Sequence, residues 1–493
     1  MRVNILIGGQ AGTGPNLLTH ILGEILFEKG YYVFYSRDYQ SLIRGGHNFN
    51  VLTFSDDPVY SNDSLMDVIV CLDENTKKIH AKELGKNGII LEGNFPNMYY
   101  AGKLFRLFDI DFQELDNKLK KIEKEYAENI KEAKKGYDAE KRVIYKVIGK
   151  KPKNYFINGS QGISEGAIKS GLDVYFAYPM TPATTVLAEL AQKQAENNYL
   201  VLELENEISV INAAIGSSIT GAKTMIGTSG GGFDLMTEAL SMTGQAEIPL
   251  VAFLSQRPGP GTGVATYTGQ GDLQMARHSG HGEFFRMILA PGDPIESEEL
   301  TSQAFYFSQK YKIPAIILSD KHLGESFYSL TENPKITKSE KLTSLKKYNS
   351  YEHDENGIAT ENAEIIKKNV ERRKNKVLEI EKESRKFEQY RLYGKTNSKN
   401  LVVSYGSTKG AILDAIKDLN ACFLQIKYIE PFPDIKKIIE GKNLILVENS
   451  ATGALKNIIS EKTGIFIENE ILRYDGRPFL ADELNEEIKK KLK

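Results

Sequence analysis

The amino-acid sequence predicts a multidomain α/β protein. Short apolar runs that resemble strands alternate with helical stretches through most of the chain, as in strand–helix–strand units built around parallel sheets. The 493 residues are too many for one hydrophobic core. The apolar runs of the central region are continuous, which is typical of strands covered on both faces. We therefore expect several α/β domains.

Changes in composition divide the chain into four segments. Residues 1–152 begin with a parallel-sheet pattern and end, from about residue 112, in a Lys- and Glu-rich stretch that predicts a solvated helical edge. Residues 153–335 form a second, glycine-rich α/β segment. Residues 336–395 are highly charged and are interpreted as a connector. Residues 396–493 return to strand–helix alternation.

Individual elements follow from the same patterns. The first segment predicts strands at 3–7, 32–35, 68–72 and 88–91. The second predicts strands at 174–177, 199–204, 223–227, 250–254 and 315–318. The connector predicts a helix near 361–389, and the last segment predicts strands at 401–404, 423–428 and 444–447.

The overall charge gives no reason to expect a nucleic-acid or membrane partner. Lys and Arg total 63 against 65 Asp and Glu, a formal net charge of -2. No run approaches the roughly 18 apolar residues of a membrane span, and the first residues lack the pattern of a secretory signal. We therefore expect a cytoplasmic protein.

The two cysteines, Cys71 and Cys422, are far apart and lie in apolar, strand-like contexts. Both are predicted to be buried core thiols rather than redox residues. Because a four-iron cluster usually takes four thiolates, this chain cannot hold one alone.

A glycine-rich loop joins the first predicted strand to a helix. Its glycines are Gly8, Gly9, Gly12 and Gly14, and their spacing does not fit the dinucleotide-binding pattern. Either the loop makes a tight, closely packed turn, or its backbone amides receive an anion such as a phosphate of coenzyme A. A second glycine-rich loop begins at Arg44 and is compatible with binding the same anion or simply with a surface turn.

A proline-flanked loop follows the predicted strand at 174–177. Its two prolines fix the backbone where a loop after a parallel strand presents ligand-facing groups, although a simple turn is also compatible. The loop consists of Tyr178, Pro179, Met180, Thr181 and Pro182.

Charged residues lie at the ends of two of the predicted strands. Arg257, in a Gly- and Pro-rich loop, can bind a carboxylate through two charge-assisted hydrogen bonds, or it can form a surface salt bridge. Glu203, Glu205 and Glu207 alternate just before a small-residue helix. Three acids suggest a metal site, but one carboxylate at the mouth of an apolar helix is the better interpretation.

Together these motifs resemble the alpha subunit of 2-oxoacid:ferredoxin oxidoreductases, in the arrangement with a gamma domain fused ahead of it. Residues 178–182 are similar to the family's Y-P-I-T-P motif, with Met180 in place of Ile. Residues 257–262 resemble its R-P-G-P-S-T segment, with Gly261 in place of Ser. The resemblance extends over nearly the whole chain, because further motifs match at 227–238, 280–283, 352–357, 431–433, 447–453 and 474–479.

The resemblance implies three domains: a gamma domain at 1–152, a pyrimidine-type thiamine-diphosphate domain at 153–335 and a transketolase C-terminal-like domain at 396–493. It also implies a beta subunit that supplies the diphosphate and Mg²⁺ site and the [4Fe-4S] cluster. The pair would oxidatively decarboxylate 2-oxoacids, transfer the acyl group to coenzyme A and reduce ferredoxin.

The same resemblance implies roles for single residues. Glu207 would hydrogen-bond the aminopyrimidine of thiamine diphosphate, with a capping role and Glu205 as the open alternatives. Arg257 would hold the substrate carboxylate, and Thr181, Thr262 and Tyr178 would orient the substrate. The segment from residue 158 matches the family's G-N-E-A start only loosely, and Gln161 there lacks a charge.

Two other functions remain open at this point. A non-oxidative thiamine-diphosphate decarboxylase or transketolase relative would carry its own diphosphate-binding segment, and residues 269–272 are the nearest approach to one. A non-catalytic assembly subunit would have lost its site residues, whereas Thr181, Glu207 and Arg257 are all present.

Overall fold

The computed structural model describes residues 1–40, 46–122, 125–150, 153–342 and 347–493. Its contacts divide the chain into two units. The first comprises Met1–Ile157, Ser326–Glu332 and Leu480–Asn485, and the second comprises Asn158–Glu325, Asn333–Phe479 and Glu486–Lys493. The finer boundaries near residues 152, 335 and 395 stay predictions.

Strands and helices alternate along the described chain. The elements of the first third are β1 (Arg2–Gln10), α1 (Pro15–Glu28), β2 (Tyr32–Tyr39), β3 (His47–Ser55), β4 (Met66–Cys71), α2 (Glu74–His80), β5 (Leu84–Leu91), α3 (Asn97–Leu107), α4 (Phe112–Ile122), α5 (Tyr126–Ala139) and β6 (Tyr155–Asn158). Those of the middle are α6 (Gly159–Lys169), β7 (Val174–Ala177), α7 (Thr184–Asn197), β8 (Leu200–Glu203), α8 (Glu207–Ile219), β9 (Thr224–Thr228), α9 (Gly230–Ala246), β10 (Leu250–Gln256), α10 (Leu273–His278), β11 (Met287–Leu289), α11 (Pro294–Tyr311), β12 (Pro314–Asp320), α12 (Lys321–Glu325) and β13 (Phe327–Leu330). Those of the last third are α13 (Ala363–Ser384), β14 (Tyr390–Gly394), β15 (Asn400–Tyr405), α14 (Thr408–Ala415), β16 (Cys422–Ile426), β17 (Tyr428–Glu430), α15 (Lys436–Ile439), β18 (Asn443–Glu448), α16 (Ala454–Thr463), β19 (Asn469–Leu472) and α17 (Ala481–Lys489).

The first sheet is mixed, with strand order β5-β4-β1-β3-β2-β13-β6. β4 pairs in parallel with β1 and β5, but β3 lies between β1 and β2 and is antiparallel to both. The expectation of a parallel sheet is therefore wrong for this part of the sheet. β3 carries buried polar residues such as Asn50 and Thr53, which hydrogen-bond Thr19 and Asn4, so its sequence does not form an apolar run.

The Lys- and Glu-rich stretch forms α4 and α5, and it is packed more closely than a solvated edge. A Cβ on Gly102 of α3 would lie 1.9 Å from the carbonyl oxygen of Ala133 in α5. A Cβ on Gly136 of α5 would lie 1.8 Å from the carbonyl oxygen of Tyr99 in α3. The two glycines thus let the helix backbones touch, which composition alone does not reveal.

The second sheet has strand order β17-β11-β12-β10-β9-β7-β8. The pairs from β11 through β8 are parallel, whereas β17 is antiparallel to β11. β10 and β12 are buried along their whole length, in agreement with their continuous apolar sequences. The multidomain α/β fold class is confirmed, and in this sheet the strands expected at 174–177 and 250–254 lie where the apolar runs are.

The third sheet has strand order β14-β16-β15-β18-β19, with β14 antiparallel and the other pairs parallel. The connector supplies α13, the helix expected near 361–389. Charged contacts hold this helix: Glu247 pairs with Arg372 and Lys376, and Tyr306 donates a 2.6 Å hydrogen bond to Glu383.

A buried charge cluster joins elements around the second and third sheets. The ammonium group of Lys409 contacts Asp293 and lies 2.7 Å from Glu296 Oε1, while Gln425 donates a 2.6 Å hydrogen bond to Glu296 Oε2. Burial alone would raise the pKa of Glu296, but the charges of Lys409 and Lys427, together with hydrogen bonds from Lys409 and the Gly292 amide, outweigh burial and lower that pKa to about 2. Both partners are therefore charged at neutral pH.

Both cysteines are unpaired and buried, as the sequence predicts. Burial raises the pKa of Cys71 to about 11 and also raises that of Cys422, as expected of core thiols. Among the described helices, none is both long enough and apolar enough to span a bilayer.

Candidate functional site

The candidate site lies at the carboxyl edge of the second sheet. The loop containing Thr181 follows β7, Glu207 follows β8, and Arg257 follows β10. β8, β7, β9 and β10 are consecutive parallel neighbours in this sheet, so the loops after them emerge side by side.

Arg257 and Thr181 are in direct contact. Arg257 Nη1 donates a 2.6 Å hydrogen bond to the backbone carbonyl oxygen of Thr181. Burial lowers the pKa of Arg257, and the charges of Asp272 and Glu207 oppose that effect. The loop after β7 therefore fixes the guanidinium at the strand ends, within electrostatic reach of Glu207.

Glu207 is the first residue of α8 and is only 4% exposed. The N-cap is its neighbour Asn206, whose side chain accepts a hydrogen bond from the amide of Ser209, so Glu207 is not needed as a cap. Glu207 Oε1 is buried and has no hydrogen-bond partner among the described residues. Glu205, the alternative carboxylate, is exposed.

A glycine makes room for this carboxylate. A Cβ on Gly232, in the first turn of α9, would lie 2.6 Å from Glu207 Oε1 and 2.2 Å from the hydroxyl of Thr228. The same hydroxyl lies 4.0 Å from the sulfur of Met180. Gly232 thus lies against Thr228 and Glu207, and Met180 lies next to Thr228.

A cavity of about 520 Å³ opens beside Arg257. Its wall includes Asp234, Asp272 and the glycine-rich loops of the second sheet, together with Asn449 and Tyr474 from the C-terminal section. A cavity of this size is ample for a small organic acid. Asp272 was not singled out from the sequence as a site residue.

The other predicted residues lie near this edge with fewer defined contacts. Tyr178 is 39% exposed, and Thr262 is exposed in the loop after β10. Among the described contacts, none joins Thr262 to Thr181, Glu207 or Arg257. The substrate-orienting roles of Tyr178 and Thr262 therefore stay predictions.

Gln161 has a structural role that the sequence did not indicate. The side chain of Asn158 accepts a 2.8 Å hydrogen bond from the amide of Gln161, and the side chain of Gln161 accepts a 3.2 Å hydrogen bond from the amide of Asn158. This reciprocal pair is a capping box at the start of α6.

The N-terminal glycines lie in the first unit. Gly8 and Gly9 belong to β1, where a Cβ would fall 2.6 Å from Thr76 and 2.3 Å from Thr13, respectively. Gly12 and Gly14 have φ near +90°, and a Cβ on Gly14 would meet Asn97 at 2.1 Å. Close packing and a left-handed turn account for these glycines. Anion binding stays a prediction, and Arg44 lies outside the described residues.

Comparisons with known families agree across two parts of the chain. The family described as pyruvate flavodoxin/ferredoxin oxidoreductase, thiamine diphosphate-binding, matches residues 165–394. The family described as pyruvate ferredoxin/flavodoxin oxidoreductase matches residues 4–94. The region around Thr181, Glu207 and Arg257 therefore belongs to a thiamine-diphosphate-binding domain.

Individual relatives extend the similarity to the whole chain. A 2-oxoacid:ferredoxin oxidoreductase alpha subunit of Sulfolobus is 28% identical over 100% of this chain and 97% of its own length. The 2-oxoglutarate synthase subunit KorA of Methanocaldococcus jannaschii is 31% identical over 59% of this chain and 87% of its own length. The solved 2-oxoglutarate:ferredoxin oxidoreductase of Magnetococcus marinus shares the fold, with a TM-score of 0.90 at 22% identity over 100% of both chains.

Proposed function

Because the chain belongs to the family of 2-oxoacid:ferredoxin oxidoreductase alpha subunits, we propose that it works with a beta subunit to convert 2-oxoacids and coenzyme A into acyl-CoA and CO₂. Ferredoxin is the proposed electron acceptor. The observation that carries the proposal is the contact of Arg257 with Thr181 at the strand ends where Glu207 also lies, with a buried carboxylate oxygen that has no partner in the described part of the chain.

The residues around Glu207 fit the aminopyrimidine of thiamine diphosphate. A buried carboxylate oxygen without a partner is costly unless a ligand donates to it. Gly232 leaves the room in which this carboxylate lies. Thiamine diphosphate, when bound, supplies a carbon nucleophile that attacks the 2-oxo carbon. In this proposal Glu207 accepts the hydrogen bond of the pyrimidine ring and holds its proton there.

Arg257 is proposed to bind the carboxylate of the substrate. One of its N–H groups is engaged by the carbonyl of Thr181, which fixes the plane of the guanidinium while the group lines the cavity. The loop of Thr181 thus sets the position of the substrate carboxylate indirectly. Position is most of what the protein contributes to such a step.

The beta subunit is proposed to supply the diphosphate and Mg²⁺ site and the [4Fe-4S] cluster. The sequence has two cysteines, both buried and unpaired, whereas such a cluster usually takes four thiolates. Coenzyme A and ferredoxin are cytoplasmic reactants, so we place the enzyme in the cytoplasm.

The test is to co-purify the chain with its beta subunit and to measure coenzyme A-dependent reduction of a viologen dye with a panel of 2-oxoacids. The isolated chain should be inactive. Arg257→Ala should raise KM for the best 2-oxoacid by about 10- to 100-fold, because charged hydrogen bonds contribute roughly 1.5–3 kcal/mol. Arg106→Ala, on α3 of the first unit, is the control and should leave KM unchanged.

Two results would contradict the proposal. A co-purified complex that oxidises no 2-oxoacid would exclude the activity. A complex in which Arg257→Ala leaves KM unchanged for every 2-oxoacid would exclude the carboxylate-binding role.

A further inference from the structure

A second carboxylate, Asp272, faces the cavity that Arg257 lines. The amide of Asp272 donates a 3.0 Å hydrogen bond to the side chain of Gln256, the last residue of β10 and the neighbour of Arg257. The side chain of Gln256 also donates to the carbonyl of Ser319 in β12. The same strand end therefore positions both Arg257 and Asp272.

The side chain of Asp272 does not stabilise the start of its own helix. Asp272 is the N-cap residue of α10, yet its side chain makes no capping hydrogen bond. Its Oδ2 atom is buried and has no hydrogen-bond partner among the described residues. The carboxyl group of Asp272 is therefore not held by the helix that it precedes.

Side-chain oxygens without a hydrogen-bond partner among the described residues lie near the glycine-rich start of α9. A Cβ on Gly230 would lie 2.8 Å from Asp272 Oδ2, just as one on Gly232 would meet Glu207. The hydroxyl of Ser229, between β9 and α9, is also buried without a partner in the described chain. Buried polar groups without partners are uncommon, and of these three residues Asp272 is the one that also lines the cavity with Arg257, as expected of a ligand-binding carboxylate.

Charged groups from two directions act on Asp272. Asp234 lies on α9 and Arg257 follows β10, while Tyr405 of β15 has its own pKa raised in part by the charge of Asp272. Burial, aided by Asp234 and opposed by Arg257, raises the pKa of Asp272 to about 6. A bound 2-oxoacid adds a negative charge and raises this pKa further, so Asp272 can carry a proton near neutral pH.

We propose that Asp272 is the proton donor to the 2-oxo oxygen of the substrate that Arg257 holds. This inference rests on the proposed function and adds a residue to it. When the 2-oxo carbon is attacked, the π electrons of the C=O bond move to oxygen, and that oxygen takes the proton of Asp272. CO₂ then leaves, and two electrons pass to ferredoxin. As the C=O bond reforms, the proton returns to the carboxylate of Asp272.

The overall reaction balances with this step. A 2-oxoacid anion and the thiol of coenzyme A give acyl-CoA, CO₂, one proton and two electrons. The released proton is that of the thiol, because the proton lent by Asp272 is recovered. Asp272 must be protonated when the 2-oxo carbon is attacked, so kcat/KM for the 2-oxoacid should fall as pH rises above the pKa of this carboxyl group.

The experiment measures release of labelled CO₂ by the co-purified complex from pH 5.5 to 8.5, with the best 2-oxoacid. Wild type should show a decline of kcat/KM toward alkaline pH. Asp272→Asn has the same shape but no exchangeable acid proton, and it should lower kcat/KM by about 100- to 10,000-fold and remove the decline. Thermal melting checks that the variant is folded.

Asp234→Asn is the matched control, because it removes a carboxylate from the same cavity. Losing the charge of Asp234 lowers the pKa of Asp272, so the decline should move to lower pH and persist. This shift tests the inference even if Asp272→Asn does not fold. An unchanged decline in Asp272→Asn, or an unmoved one in Asp234→Asn, would overturn it.

The proposed function fails separately. If the wild-type complex released CO₂ from no 2-oxoacid, both the function and the role of Asp272 would be excluded. If wild type were active and its profile did not depend on Asp272, only the inference would be lost.

Discussion

Replacement of Gly232 by alanine adds a Cβ where the first turn of α9 passes Glu207. The new carbon would lie 2.2 Å from the Thr228 hydroxyl and 2.6 Å from Glu207 Oε1. Carbon contacts settle near about 3.5 Å, so the carboxylate must withdraw by roughly 1 Å. The Thr228 hydroxyl sits close to its backbone and has less freedom to move.

A displacement of that size should lower the catalytic rate strongly but reduce the stability of the fold only moderately. Misplacing a catalytic group by about 1 Å costs on the order of 100-fold in rate, whereas overpacking a buried site typically costs about 1–3 kcal/mol of stability. We therefore expect Gly232→Ala to fold, to bind thiamine diphosphate more weakly and to lose about 100-fold in kcat.

The assay compares Gly232→Ala with Gly216→Ala in the co-purified complex. Gly216 lies on α8, the helix that begins with Glu207, and a Cβ there meets nothing within 4 Å. This control should keep full activity and gain about 0.5–1 kcal/mol in stability from its helix-forming residue. If Gly232→Ala kept the cofactor affinity and kcat of wild type, the assignment of Glu207 to the pyrimidine ring would be refuted.

Two further predictions concern stability. Lys409→Met leaves Asp293 and Glu296 buried without their cation, so the free energy of unfolding at pH 7.5, from urea denaturation, should fall by about 3–5 kcal/mol. Lys489→Met breaks only an exposed pair with Glu486 and should cost no more than about 0.5 kcal/mol; equal losses would contradict the buried cluster. Asp272→Asn should raise stability by about 3 kcal/mol at pH 8, because a folded-state pKa raised from 3.8 to about 6 penalises the folded state increasingly between these two pH values and fully above them. The gain should vanish below about pH 3, where the carboxyl group is protonated in both states; a gain that persisted there would contradict a raised pKa.

The sequence predicts the second sheet better than the first. Apolar runs such as those of β7 and β10 are buried on both faces, so their composition alone marks them as strands. β3 instead buries polar side chains that are satisfied by other strands and by α1, and only the folded sheet supplies those partners. The three-residue β11 is too short to produce a periodic signal.

The candidate site, too, was only partly predicted from the sequence. Motifs drew attention to Arg257 and Glu207 from sequence alone, and their roles stay predictions. Asp272 was not predicted as a site residue. It is distinguished by its burial, by the lack of a hydrogen-bond partner for Oδ2 among the described residues and by the charge of Asp234, and a linear sequence contains none of these. The only signal was its place in the short Gly-rich stretch that ends at residue 272.

The antiparallel pairing of β17 with β11 has a practical consequence for dissecting the chain. β17 (residues 428–430) follows the connector in sequence, yet it pairs with β11 and forms the edge of the second sheet. A fragment that stopped before residue 428 would leave the amides and carbonyls of β11 open to other molecules, which favours aggregation. Recombinant pieces of the second unit should therefore retain the C-terminal section.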